Sequence, residues 1–294
     1  MPGPLLFVNP SSGDEAGTED LVREARERGI EVIELDGDFE EQIAAGCAED
    51  PAVIGMAGGD GSLALVAQRC IDADAPFVVI PFGTRNHFAR DLGLDRDDPI
   101  AALDAYTDPV ERRIDVVQVN GDRIFLNNAT FGVYAEVVDE DEYREAKVRT
   151  SVRVARELLR GDRDPDPIGI TSPDGTRYDA PFAILVGNNC YETASLRGLG
   201  QRAELDGGQL QVWVLEAENA LDLASVAGAT LASGPQQHPN VAVWLTPSLH
   251  LDATTDEVKA GIDGEASTLQ APVELCVLPQ ALRVHVPRTT AIPI

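Results

Sequence analysis

Hydrophobic and polar positions follow two different patterns along the chain. Up to about residue 110, short apolar runs alternate with segments whose apolar residues recur at helical spacing. The predicted strands are residues 4–8, 30–35, 52–57 and 77–80, and the predicted helices are 18–29, 62–71 and two that start at residues 38 and 98. Strands and helices that alternate this closely indicate a parallel α/β sheet.

The pattern changes near residue 110. Asn120-Gly121 is the strongest two-residue hairpin signal in the chain. Strands are predicted at residues 114–119, 123–128, 168–172, 178–186, 210–215, 241–251, 273–278 and 282–286. With few helices among them, these strands are typical of an antiparallel region. We therefore predict an α/β domain over residues 1–113 and a mainly β domain over 114–294, whose last few residues return to the first.

Three loops that follow predicted strands carry the candidate chemistry. They are Asn9-Pro10-Ser11-Ser12-Gly13 after the first strand, Gly58-Gly59-Asp60-Gly61-Ser62 after the third, and residues 81–90, with Thr84 and Asn86, after the fourth. In open α/β sheets, ligands bind at the carboxyl ends of the strands. The three loops are therefore expected to form one site.

The glycine-rich loop is typical of a phosphate cradle. Gly58, Gly59 and Gly61 can take positive φ and let backbone N–H groups approach an anion, and the following helix turns its free N–H groups to the same point. Asp60 would repel phosphate unless a cation intervened, so this loop predicts Mg²⁺ held through water. On its own, Gly-Gly-Asp-Gly could equally be a strand-to-helix turn.

Composition and missing motifs narrow the classes of function. The chain has 50 acidic and 23 basic residues and a formal net charge of −27, which disfavours nucleic acid as a partner. An acidic, salt-adapted proteome would give the same balance whatever the function. Neither a P-loop motif nor a dinucleotide-binding G-x-G-x-x-G motif occurs. With no long apolar run, no signal-peptide features and four scattered cysteines, a cytoplasmic protein with reduced thiols is expected.

The three loops together resemble the diacylglycerol kinase catalytic domain family, which includes bacterial lipid kinases and sphingosine and ceramide kinases. The likeness continues through Asp115, residues 125–132, Gly187-Asn188 before Tyr191, residues 204–210 and Ile262-Asp263-Gly264-Glu265. It covers nearly the whole chain, and the combination is more specific than any one motif.

The resemblance implies an ATP-dependent, Mg²⁺-using lipid kinase of phospholipid biosynthesis. The α/β domain and a β-sandwich domain would enclose a cleft, with the lipid taken by the second domain. Nucleotide contacts would come from Asn9, Pro10, Ser11, Ser12, Gly13, Gly58, Gly59, Gly61, Ser62, Thr84 and Asn86. Asp60 and Asp115 would form an acidic network, and the catalytic base would lie in 263–265. Relatives also suggest a homodimer and transient contact with the membrane surface that holds the lipid.

Two departures from the family pattern affect the metal. His87 stands where the family usually has Asp, so one expected carboxylate is missing. Gly207 replaces a second acid beside Asp206, in a stretch where some bacterial members bind a structural Mg²⁺. That site would depend on Glu204 and Asp206, or be absent.

Alternatives remain at the level of residues and of function. Glu265 is the first choice for the base and Asp263 the second, although Asp263-Gly264 is by itself only a turn signal. A kinase of a soluble substrate, like NAD kinases, shares the Gly-Gly-Asp-Gly loop but carries Asn-Glu where this chain has Asn127-Asn128. A binding module that has lost catalysis is the third interpretation.

A basic stretch suggests how an acidic protein could reach a membrane. Its cations are Arg144, Lys147, Arg149, Arg153, Arg156, Arg160 and Arg163. Apolar residues at 148, 152, 155 and 159 fit one face of a helix. Such a helix could lie against anionic headgroups or simply pack in the core.

Overall fold

The computed structural model describes residues 3–83, 86–132, 168–191, 201–202, 204–217, 221–226, 236 and 238–290. These residues fall into two compact units. Unit 1 is bounded by Met1–Val116, Gln201–Gly207 and Leu278–Ile294, and unit 2 by Val117–Gly200 and Gly208–Val277. Neither unit is one continuous stretch. The domain limits predicted at 1–113 and 114–294 stay a prediction.

Unit 1 is built on a parallel sheet. In chain order its elements are β1 (Pro4–Val8), a 3₁₀ turn (Pro10–Ser12), α1 (Glu15–Glu27), β2 (Glu31–Glu34), α2 (Phe39–Cys47), β3 (Val53–Gly58), α3 (Asp60–Asp72), β4 (Phe77–Pro81), α4 (His87–Asp91), a 3₁₀ helix (Ala101–Tyr106) and most of β5 (Pro109–Val119). The sheet order is β2-β1-β3-β4, and the last part of the chain's final strand adds in parallel beside β4. Strands β1 and β4 are almost wholly buried, which is typical of a parallel sheet.

Helix α1 begins three residues before its predicted start. The Asp14 carboxylate accepts the N–H of Gly17 at 2.7 Å and so caps the first turn. The helix buries Leu21, Val22 and Ala25. The helix expected from residue 98 is instead the short 3₁₀ helix, which starts at Ala101.

Unit 2 consists of antiparallel strands in two sheets that share one core. Its further elements are β6 (Arg123–Phe125), β7 (Asn128–Gly132), β8 (Ile168–Thr171), β9 (Arg177–Asp179), β10 (Ala183–Asn188), β11 (Leu210–Leu215), β12 (Val241–Thr246), β13 (Ser248–Ala253), β14 (Glu257–Ile262), β15 (Glu265–Gln270) and the first part of β16 (Val273–Pro287). One sheet has the order β12-β11-β10-β7-β14-β15. In the other, β13 pairs with β8 and β16, and β8 pairs with β9. Phe131 and Val212 from the first sheet and Ile170 and Leu251 from the second belong to one buried cluster.

The predicted fold class, an α/β domain plus a mainly antiparallel β-sandwich, is confirmed by this strand pairing. The Asn120-Gly121 turn is also present, with both residues at positive φ. The prediction of one strand over 241–251 is wrong because Pro247, which has no N–H to donate, separates β12 from β13. The two strands predicted at 273–278 and 282–286 are one, β16, with Gln280 at positive φ inside it.

Candidate nucleotide-binding site

Asp60 joins two of the three loops in unit 1. Its two carboxylate oxygens accept the backbone N–H groups of His87 and Phe88, each at 3.0 Å. Asp60 opens α3, and the two donors open α4, so one side chain fixes the start of both helices relative to each other. Hydrogen bonds to an ionised acceptor are among the stronger ones. Asp60 is therefore an anchor of this site as well as its predicted metal residue.

Facing glycines let the same two loops approach closely. An added Cβ on Gly83 would lie 2.6 Å from the Cα of Gly59. The prediction that the second loop uses positive φ is wrong: Gly59 has φ −84°, Gly58 ends β3 and Gly61 lies inside α3. The close approach of backbone to backbone requires glycine at Gly83, whereas a Cβ on Gly59 would meet Gly83 Cα only at 3.9 Å.

The first loop is attached to the end of β3 and to the third loop. The N–H of Asn9 donates to the carbonyl of Ala57 at 2.9 Å, and its side chain accepts the N–H of Ser11 at 3.0 Å. A Cβ on Gly13 would lie 2.4 Å from the ring of Phe82, which belongs to the third loop. The structure thus brings the three predicted loops together at the carboxyl ends of β1, β3 and β4.

Asn86 shapes the third loop. It is buried, lies in the left-handed region at φ 49°, and its amide makes two hydrogen bonds to Gly83, accepting at 2.8 Å and donating at 2.6 Å. These bonds use the side chain internally, so its predicted contact with nucleotide stays untested. Thr84 lies outside the described residues. His87, which replaces the family's usual Asp, is exposed.

A second set of contacts surrounds the end of α4. Asp91 is buried and its Oδ2 accepts from Nε of Arg202 at 2.7 Å. A guanidinium nitrogen of Arg90 lies 3.5 Å from the other oxygen of Asp91. Asp115 is buried on β5, where its N–H donates to Leu205.

In unit 2, Asp263 organises a buried turn. Its carboxylate accepts three backbone N–H groups, those of Leu126 at 2.8 Å, Asn127 at 2.7 Å and Asn128 at 3.1 Å. Asp263 and Gly264 both have positive φ and connect β14 to β15, so they form the turn of a hairpin that sequence analysis did not predict. The geometry favours a structural role for Asp263 over that of a base.

Glu265 follows this turn and has a different environment. Its side chain keeps exposed surface, yet the protein atoms crowded around it raise the pKa of its carboxyl above the ordinary value, while Arg123 acts weakly in the opposite direction. A carboxylate with a raised pKa is the better proton acceptor. Of the two carboxylates named from the sequence, Glu265 has the environment that suits a base.

Sequence reasoning gave the polar neighbours of Asp263 no individual role. Asn188 is buried and donates to the carbonyl of Leu126 at 3.0 Å, and the hydroxyl of Tyr191 donates to the carbonyl of Asn127 at 3.0 Å. A Cβ on Gly187 would lie 2.5 Å from the Tyr191 ring, which explains that glycine. The Gly-Asn…Tyr motif was visible in the sequence, but only its place beside residues 126–128 shows that it fixes the same loop as Asp263.

The structural Mg²⁺ site expected at Glu204 and Asp206 stays a prediction. Glu204 and Asp206 are exposed, and no group of three His, Cys, Asp or Glu side chains able to hold a metal ion occurs within the part of the chain that the structure describes. Mg²⁺ that enters with ATP is a different case, since it keeps several waters and needs only one or two carboxylates plus phosphates. Asp60 fits that requirement because each of its oxygens has a further lone pair.

Comparison with known proteins confirms the family resemblance. Residues 4–119 match the model of the diacylglycerol kinase catalytic domain. A "probable lipid kinase YegS-like" of Pseudomonas aeruginosa is 29% identical over 285 residues, covering 94% of this chain and 92% of that protein. A diacylglycerol kinase of Mycobacterium tuberculosis is 24% identical over 296 residues, covering 96% and 94%.

A solved structure confirms the fold independently. A diacylglycerol kinase from Bacillus anthracis str. Sterne superposes with a TM-score of 0.70 over 98% of each chain, at 20% identity. The names of the curated relatives support a lipid kinase family. Among the described residues, no helix is both long and apolar enough to cross a bilayer.

Proposed function

We propose that this chain is an ATP-dependent lipid kinase that transfers the γ-phosphoryl group to a hydroxyl of a diacylglycerol-like lipid. The observation that carries the proposal is the joining of three strand-end loops in unit 1. Asp60 and the Gly59–Gly83 contact join the second and third loops, and Gly13 lies against Phe82 of the third. Together these loops form the kind of glycine-lined, N–H-rich edge that binds phosphates in open α/β sheets. The curated relatives, which are named as lipid kinases, support the same class of acceptor.

In this proposal the first two loops hold the phosphates of ATP. Phosphoryl transfer depends on alignment and charge neutralisation more than on covalent help from the protein. Mg²⁺ bound with ATP would supply that neutralisation, and Asp60 is the residue that would hold it through water. The close contact of Gly59 with Gly83 fixes the loops before ATP arrives, which reduces the entropy that binding must overcome.

Glu265 is proposed as the base. As the lipid oxygen bonds to the γ-phosphorus, the hydroxyl proton passes to the Glu265 carboxylate, and the bond from phosphorus to the bridging oxygen of ADP breaks. The raised pKa of Glu265 suits this step. Asp263 lies in the turn just before Glu265, and the three backbone N–H groups that donate to its carboxylate hold that turn in place.

The lipid acceptor would be met at a membrane surface, by transient contact. The basic stretch 144–163, which sequence analysis offered for that contact, lies outside the described residues. A homodimer stays a prediction.

Acceptor competition tests the proposal. Purified protein is incubated with Mg²⁺ and γ-labelled ATP, and with either a lipid extract or NAD as the acceptor. Label in the organic phase supports a lipid kinase, whereas labelled dinucleotide supports a soluble-substrate kinase. ATP binding without labelled product on any acceptor would indicate a module that has lost catalysis.

A further inference from the structure

A short segment of unit 1 lies, in the sequence, between two strands of unit 2. Residues Gln201–Gly207 come after β10 and before β11, yet they pack with unit 1. The N–H of Asp115 donates to Leu205 at 2.7 Å, and Asp115 Oδ1 accepts the N–H of Gln280 at 2.8 Å. The segment is therefore bonded to β5 through Leu205.

Arg202 makes the other attachment. Its side chain has no exposed surface and that of Asp91 only 1%, and Nε donates to Asp91 Oδ2 at 2.7 Å. The guanidinium also lies over the ring of Phe88, 5.9 Å from its centroid. Both partners belong to α4. A charge this deeply buried requires a partner, so the pair fixes the segment against α4.

Helix α4 in turn holds Asp60. The N–H of Phe88 binds Asp60 Oδ1, while the ring of the same residue lies under Arg202. A series of direct contacts therefore connects Arg202 through α4 to the carboxylate that joins the second and third loops. Displacing Arg202 would remove the buried partner of Asp91 and leave it only the more distant, partly exposed Arg90 at 3.5 Å.

The attachment of this segment to α4 uses a cation of the chain itself. The buried cation on the segment is the guanidinium of Arg202.

We propose that Arg202 is a positioning residue for the nucleotide site. Its pair with Asp91 fixes α4, and hence Asp60 and the third loop, for ATP binding. The inference rests on the proposed function for the identity of the ligand. It does not depend on which acceptor receives the phosphate.

The first experiment measures ATP binding by Arg202→Gln, Arg202→Lys and Asp91→Asn, at a temperature where each variant is folded by circular dichroism. Arg177→Gln is the control, because Arg177 is an exposed cation of unit 2 that pairs with Asp179. A misplacement of about 1 Å can reduce rates by about 100-fold, so we expect ATP affinity to fall by about 10- to 100-fold in Arg202→Gln. Arg202→Lys keeps the charge but not the planar fork and should be intermediate.

Chemical rescue separates positioning from stability. If Arg202 positions α4, millimolar guanidinium added to Arg202→Ala should restore part of the ATP affinity. If the substitution only destabilises the fold, guanidinium should lower stability further and restore no affinity. Folded variants that bind ATP as tightly as the wild type would overturn the proposal.

A wild type that binds ATP but phosphorylates no acceptor would defeat the proposed function alone. The binding and rescue results would still decide the role of Arg202.

Discussion

Gly83→Ala is the perturbation whose effect the structure defines most closely. The added methyl would lie 2.6 Å from Gly59 Cα, 3.1 Å from Gly59 N and 2.8 Å from Asn86 Oδ1. Ordinary contacts between carbon atoms are about 3.5–4.0 Å. The loops would therefore have to separate by about 1 Å. Neither neighbour can yield easily, because Gly59 presents backbone and Asn86 is buried and bonded to Gly83 itself.

The magnitude follows from this overlap. Overpacking of a closely packed site typically costs about 1–3 kcal/mol, and we expect Gly83→Ala to lose that much free energy of unfolding. Activity should suffer more, since a shift of about 1 Å in a positioning element can reduce the rate by about 100-fold. Urea denaturation measures the first effect, and kcat/KM for ATP measures the second.

Gly59→Ala is the matched control for stability. Its added methyl meets Gly83 Cα only at 3.9 Å, an ordinary contact, and φ −84°, ψ 173° is open to alanine. Its cost should stay below about 1 kcal/mol, mostly from the poorer helix cap. Equal destabilisation by the two substitutions would refute the reasoning from close approach.

Four further substitutions test three separate parts of the account. Asp60→Asn puts an amide N–H against a backbone donor, so we expect the free energy of unfolding in urea to fall by about 1–3 kcal/mol and turnover to be lost. An unchanged unfolding midpoint would show that the bonds to α4 contribute no stability. Glu265→Gln should lower kcat by about 10²–10⁴ without loss of stability, whereas Asp263→Asn should chiefly lower the melting temperature, and the reverse outcome would exchange their roles. Burial lowers the pKa of His285, against the opposing effect of Glu111. Below the ordinary pKa of about 6.5 the unfolded state therefore binds more protons than the folded state, and stability falls on acidification. His285→Gln should reduce that fall when melting is followed between neutral and acidic pH.

The α/β half could be predicted from the sequence because its strands are short, apolar and separated by helical spacing. The loops at the ends of β1, β3 and β4 followed from the same pattern. What the sequence could not show is why their residues are needed. Asp60 was predicted only as a metal residue of the second loop, whereas in the structure its carboxylate also anchors α4.

Long-range contacts account for most of what was missed. Arg202 and Asp91 are 111 positions apart, and nothing local marks a buried ion pair. The hairpin of β14 and β15 was overlooked because β15 is mostly exposed and polar, although its Asp263-Gly264 turn is a hairpin signal. Asp263-Gly264 is both a turn signal and part of the motif that resembles the family's catalytic segment. Only the three backbone N–H groups that donate to Asp263 favour a structural role for this residue.

The central claim is that this chain phosphorylates a lipid hydroxyl with ATP, using Glu265 as the base. The most direct test is the initial rate of labelled phosphatidic acid formation from γ-labelled ATP and diacylglycerol in mixed micelles with Mg²⁺, for wild type and Glu265→Gln side by side. The account predicts sustained formation of labelled product by the wild type and a rate lower by about 10²–10⁴ for the variant. Equal rates from the two proteins would contradict the assignment of the base. The function itself would be contradicted if the wild type bound ATP but formed no labelled product from diacylglycerol or from any other lipid in a panel.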